Sequence, residues 1–163
     1  MRIRFDDGSL TSAISIVPVA ERLGLVRLLD NRVLELVIAD LVASPNAVLS
    51  VNVSPASTLD PDWWTTLGAQ LRAYPGIAER LIVEITEMAA IHDVEETRAF
   101  VSRVKDLGCH IAIDDFGAGH TSFRNLRRLG VDMVKIDGAF VENMTRSADD
   151  AMFVRTMIEL ARG

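Results

Sequence analysis

The chain has 163 residues, 49% hydrophobic and 25% charged, which suits one domain with a sizeable core. Its net charge of −6 argues against a nucleic-acid polymer as the main partner, but leaves phosphate binding through a local metal ion open. Cys109 is the only cysteine, so no intrachain disulfide forms and a reducing, cytoplasmic compartment is expected; no apolar run is long enough to cross a bilayer, and MRIRFDDGSL lacks the apolar stretch of a signal peptide.

Met1 to Phe5 reads as the tail of a strand, Ile3 and Phe5 alternating against Arg2 and Arg4, and Asp6-Asp7-Gly8-Ser9 reads as a turn. Residues 18–44 read as mainly helical from Pro18, with a break at Gly24. Val33, Leu34, Val37, Ile38 and Leu41 recur at helical spacing there, and Glu21, Arg22, Asp30, Arg32 and Glu35 occupy other positions. AVLSVNVS, residues 47–54, is a β-branched apolar strand ending at Asn52. Asp60-Pro61 starts a helix that stops at Pro75-Gly76, and its Trp63 and Trp64 are expected to pack on a neighbouring helix.

LIVEI, residues 81–85, is the next strand and carries Glu84 near its end. Asp93, with Glu96 three residues on, resembles a capping box for a helix running to Leu107, where Gly108 is placed as the C-terminal cap. A strand from Cys109 runs into Asp114-Asp115, followed by a glycine-rich turn, a helix over 122–129, and the strand VDMVKI with Lys135 and Asp137 at its end. Ser147 caps a last helix over 148–161. Strands alternate with helices, and the central strands are nearly all apolar, as in parallel strands covered on both sides. Residues 1–163 therefore read as a single α/β domain, with Cys109 a buried structural thiol.

Adjacent carboxylates repel each other unless a cation or hydrogen-bond donors hold them. Asp114-Asp115 alone fits either an acidic helix cap or a site. Four successive strands, however, end in Asn52, Glu84, Asp114 with Asp115, and Lys135 with Asp137. In a parallel α/β sheet all the C-terminal strand ends lie on the face that holds the site. The donors are hard oxygens, which suit Mg²⁺ or Mn²⁺ and not structural zinc. Two adjacent aspartates could each hold a different ion of a two-metal centre. Lys135 could orient a water, neutralise an oxyanion or form a salt bridge with an aspartate. Of the histidines, His92 and His110 read as surface or strand-rim residues, and His120 stands in the turn beside the site.

SVNVS, VEITE, IDDFGAGHTSF and VKIDGAFV resemble, in order and spacing, the motifs of the EAL domain, the bacterial cyclic di-GMP phosphodiesterase; GSLTSAISIVPVAERLGLV resembles that family's N-terminal helix region. The resemblance implies a TIM-type (β/α) barrel and metal-dependent hydrolysis of cyclic di-GMP to linear pGpG in second-messenger signalling. It implies that Asn52, Glu84 and Asp114 are metal ligands and that Asp115 helps hold a second ion. Lys135 then contacts the catalytic water, Glu87 steadies the loop after the Asp-Asp strand, and Arg2 contacts a substrate phosphate. Asp137 lies beside them in the KID motif, toward the substrate. The loop over 116–123 implies a possible homodimer, and the family implies partner signalling domains in a longer protein.

The sequence also departs from the pattern. The Glu-Ala-Leu triplet is absent, Met1 falling where the residue after it would stand, and the later glutamate-bearing strands are not found. A closed barrel of this type takes about 250 residues. The expected fold is therefore an incomplete barrel, roughly its second to fifth strands with flanking helices, with little or no activity as the isolated chain. Ala118, His120 and Phe123 stand where the family more often has Thr, Tyr and Leu. A non-catalytic nucleotide-binding or protein-interaction module is the alternative reading. A phosphoacceptor receiver domain fits poorly, because its acidic pair would follow the first strand.

Overall fold

The computed structural model describes residues 2–4, 7–117 and 123–162, apart from the side chains of residues 2, 3, 123–125 and 162. Strand β1 (Arg2–Arg4) pairs antiparallel with β2 (Leu10–Ser12). Helix α1 (Ala13–Arg22) follows directly, because the Ser12 hydroxyl accepts the Ile14 N–H at 3.3 Å and caps the first turn. The helix thus starts before Pro18, the expected first residue. Pro18 lies inside it and can offer no N–H to the carbonyl a turn earlier.

Helix α2 (Val26–Ala43) buries Val26, Asp30, Leu34, Ile38 and Leu41 in one stripe. Asp30, expected on the polar side, is therefore on the buried one. Strand β3 (Leu49–Asn52) leads to a short helix α3 (Pro55–Thr58) and then α4 (Pro61–Ala73), where Asp60 caps and Pro61 fills the first turn as expected. A 3₁₀ turn at Ala78–Arg80 enters β4 (Leu81–Thr86), followed by α5 (Glu87–His92) and α6 (Val94–Asp106). Strand β5 (His110–Phe116), α7 (Phe123–Leu129), β6 (Met133–Ile136), α8 (Gly138–Asn143) and α9 (Ala148–Arg162) complete the order.

The main sheet runs β3-β4-β5-β6, every pair parallel and every connection helical. This is the α/β arc of an incomplete TIM-type barrel. Val51, Val83, Ile111 and Ile113 are buried together with Leu34, Ile38 and Leu67 in one core. Trp63 and Trp64 pack against Phe100 of α6, with ring centroids 6.0 and 5.3 Å away, and Arg103 lies over Trp64 at 3.9 Å. Burial is not continuous along the outer strands: β3 and β6 alternate between more and less exposed residues. One sheet face is packed, while the other carries Ser50, Asn52, Met133 and Lys135, so the strands are not covered equally on both sides.

Polar anchors hold the ends of the sheet. Nη1 of Arg80 donates to the carbonyls of Leu41, Ser44 and Ala47 at 2.9–3.0 Å, tying the C-terminal end of α2 to the entry of β4. Asp132 accepts from Lys105 at 2.7 Å and from the Ile111 N–H at 3.0 Å. Burial alone would raise its pKa, but the Lys105 and Ile111 hydrogen bonds outweigh that and hold it below the usual carboxylate value. Cys109 is buried, which pushes its thiol up to about 11 and leaves it inert at neutral pH.

Candidate active site

The strand registers bring the polar residues together. Asn52 stands opposite Glu84, Glu84 opposite Ala112, and Ala112 opposite Met133. Side chains alternate along a strand, so the residues two positions on, Asp114 and Lys135, share the face of Asn52 and Glu84. Nζ of Lys135 donates to Oε2 of Glu84 at 2.9 Å and lies 3.1 Å from Oδ2 of Asp114. Lys135 thus forms a salt bridge with both carboxylates. Glu84 is buried, with a side chain only 4% exposed, whereas Lys135 is half open to solvent.

The acidic pair owes its placement to a bulge. Ile113 pairs with Val134 and Phe116 with Ile136, so Asp114 and Asp115 together stand opposite Lys135 alone. The extra residue is absorbed at Asp115, whose φ of 55° is the only positive value outside glycine among the described residues. Aspartate tolerates that left-handed backbone better than most side chains. Without the bulge, adjacent residues would point to opposite faces; with it, both aspartates line the same cleft. Asp115 is held above the usual carboxylate pKa, chiefly by burial and then by the charges of Asp114 and Asp137. Burial would lower the pKa of Lys135, but its hydrogen bonds to Glu84 and Asp114 prevail and raise it.

The second tier lies behind these residues. Glu87, at the start of α5, is buried, and its Oε2 accepts the Gly117 N–H at 2.8 Å. Asp137 caps α8, its carboxylate accepting the Ala139 N–H at 2.7 Å, while its own N–H donates to the Phe116 carbonyl at 3.0 Å. The backbone of Arg2 pairs with Ser12, and its side chain lies outside the described residues. So do residues 118–122 of the loop over 116–123, His120 included. His92 closes α5, and His110 opens β5 with Nδ1 3.9 Å from Asp132, at the sheet end away from the acidic pair.

A cleft of about 1080 Å³ opens beside Asn52, Thr86, Asp114 and Asp115, with apolar walls that include Ile14, Val17, Val33 and Phe100. Asp30 reaches into the same region from α2. Its Oδ2 accepts both the N–H, at 3.0 Å, and the hydroxyl of Ser54, fixing the chain just after Asn52. Sequence reading missed Asp30 as a positioning residue. Its signal was an aspartate four residues from both Val26 and Leu34, on the buried stripe.

The donors fit a hard divalent cation. The Lys135 ammonium marks a point where two carboxylates, Glu84 and Asp114, share one positive charge, and Asp115 and the Asn52 amide line the cleft beside them. Among the described residues, no three His, Cys, Asp or Glu side chains stand close enough to hold an ion as they are. Binding an ion there would require Lys135 to yield its place between the two carboxylates.

The model of the EAL domain family matches residues 1–163. The chain is 31% identical over 166 residues to the cyclic di-GMP phosphodiesterase PdeF of Escherichia coli strain K12, over 99% of this chain and 22% of that protein. It is 31% identical over 165 residues to the probable cyclic di-GMP phosphodiesterase PdeA of the same strain, again over 99% and 22%. The chain thus spans about a fifth of the length of these curated relatives. Among solved structures, it is similar to the PaMucR phosphodiesterase in complex with c-di-GMP, with a TM-score of 0.87 and 26% identity over 99% of this chain and 67% of that one. Sequence, fold and strand-end residues agree, and the chain belongs to the EAL domain family.

Proposed function

We propose that residues 1–163 are part of a metal-dependent phosphodiesterase domain that hydrolyses cyclic di-GMP to linear pGpG in second-messenger signalling in the cytoplasm. The observation that carries this reading is the convergence of Asn52, Glu84, Asp114, Asp115 and Lys135 on one face of the parallel sheet, in a chain whose named relatives are cyclic di-GMP phosphodiesterases. In this proposal Asn52, Glu84 and Asp114 hold one Mg²⁺ or Mn²⁺, and Asp115 helps hold a second. When bound, the ions supply Lewis acidity and neutralise charge at the phosphoryl group.

Lys135 turns its ammonium toward the attacking water or the developing oxyanion. Glu87 acts through Gly117, keeping the acidic turn in place. Arg2 meets a substrate phosphate, and Asp137 orders the substrate side of the site. Hydrolysis adds one water across one phosphodiester bond, leaving a phosphomonoester at one end and a ribose hydroxyl at the other. The four-stranded arc supplies only part of the residues around the substrate, so turnover by this chain is low. The loop over 116–123 joins two copies, and further signalling domains lie in the longer protein.

Incubation with cyclic di-GMP and Mn²⁺, followed by calorimetry for binding and chromatography for pGpG, tests this reading. The expected result is Mn²⁺-dependent binding, with turnover lower than that of a complete domain by on the order of several powers of ten. Binding that survives removal of Mn²⁺ by a chelator would contradict the metal-dependent site. Binding with no turnover at all would favour a non-catalytic cyclic di-GMP-binding module.

A further inference from the structure

Gly117 lies two residues past Asp115, at φ 104°, a backbone conformation that favours glycine. A Cβ placed there would come within 2.8 Å of Cζ of Phe153 and 3.0 Å of Cε2 of Phe140. The two rings are stacked, with centroids 4.4 Å apart and an interplanar angle of 28°. They come from different helices, Phe140 from α8 and Phe153 from α9. Neither belongs to the main hydrophobic core, and both are partly exposed. An aromatic pair outside the core, closed against a glycine beside the acidic turn, needs an explanation other than core packing.

The same short segment is held from two further sides. Glu87 accepts the Gly117 N–H from α5, and the Asp137 N–H donates to the Phe116 carbonyl from the start of α8. The hydrogen bonds fix where the backbone is tied, while the rings fill the space that would let it swing away. We infer that the Phe140–Phe153 pair is a positioning clamp: by closing on Gly117 it fixes the left-handed turn that aims Asp115 beside Asp114. The seating of α9 on α8 then sets the geometry of the acidic pair. This deepens the cation-site reading above and rests on it for its functional meaning. Phe140 and Phe153 touch no reacting group; they act through Gly117.

Amide hydrogen exchange by NMR tests the clamp in the chain without any metal. In Phe153→Ala the Gly117 amide is expected to exchange faster by about tenfold or more, while the central amides of Val83 and Ile111 keep their wild-type rates. Phe153→Leu, which keeps part of the apolar bulk, should fall between the two. Unchanged exchange at Gly117 would overturn the inference, as would an equal rise at Val83 and Ile111, which would mark general destabilisation. A parallel Mn²⁺ titration should show weaker binding in Phe153→Ala by about fivefold or more. Failure of the wild-type chain to take up Mn²⁺ would overturn the cation-site reading and not the clamp, which stands or falls on the exchange at Gly117.

Discussion

Replacing Lys135 with methionine is expected to destabilise the chain by about 2 kcal/mol and to make it respond more strongly to Mn²⁺. The lysine ammonium lies 2.9 Å from Glu84 and 3.1 Å from Asp114, and the Glu84 side chain is only 4% exposed. Removing it leaves a buried carboxylate facing a second one across a gap with no cation. Breaking a fully buried pair costs about 3–5 kcal/mol. Lys135 itself is 47% exposed, so water screens part of the interaction and the expected loss is smaller.

A divalent ion can replace the missing charge, so saturating Mn²⁺ should stabilise Lys135→Met more than wild type, where the ammonium must first be displaced. Glu84→Gln combined with Lys135→Met should recover part of the loss, because the amide carries no charge. Urea denaturation of the three proteins, with and without Mn²⁺, measures these differences. A Lys135→Met protein as stable as wild type and equally responsive to Mn²⁺ would show that the ammonium is not holding a cation position.

The second large effect concerns the fold alone. Arg80→Ala is expected to cost about 2–3 kcal/mol. Three carbonyls, of Leu41, Ser44 and Ala47, converge on one guanidinium nitrogen. That nitrogen carries two hydrogens, so the three acceptors share about two charge-assisted bonds' worth of interaction. The positive charge also sits at the C-terminal end of α2, where the helix dipole favours it. Alanine would take the guanidinium donor from the partly buried carbonyls of Leu41 and Ala47, while the exposed Ser44 carbonyl keeps the Ala47 N–H, and would loosen the loop that leads into β3. Arg80→Lys should recover less than half of the loss, since an ammonium lacks the planar fork and longer reach of arginine. Thermal or urea unfolding checks both variants, and an Arg80→Ala midpoint equal to wild type would remove the anchor from the account.

The parts of this molecule that sequence made legible are those set by local pattern. LIVEI and CHIAI read as strands because their apolar residues run together, and polar residues broke that run near the C-terminal end of each strand. Once the strands are parallel and adjacent, Asn52, Glu84, Asp114 and Lys135 have to meet. The Asp60-Pro61 and Asp93 caps were legible for the same reason, since a cap is decided within four residues.

Features that depend on a partner elsewhere in the chain were not legible. The bulge at Asp114-Asp115 exists only against the count of residues in β6. Asp30 looked like a surface aspartate until Ser54, 24 residues away, came to meet it. Pro18 marked a helix start by propensity, yet the Ser12 cap and the β1–β2 pairing begin the helix earlier. Gly117 was visible as a flexible residue, but the two phenylalanines that require it are far along the chain.

The central claim is that the strand-end carboxylates form a divalent-cation site. Calorimetric titration of Mn²⁺ into the wild-type chain and into Asp114→Asn tests it most directly. Asparagine keeps the shape and most of the hydrogen bonding of Asp114 but removes the charge next to Glu84 and Asp115. Saturable uptake by wild type, weakened by about tenfold or more in Asp114→Asn while both proteins unfold at similar urea concentrations, is the predicted result. No saturable uptake by wild type, or equal uptake by both proteins, would contradict it.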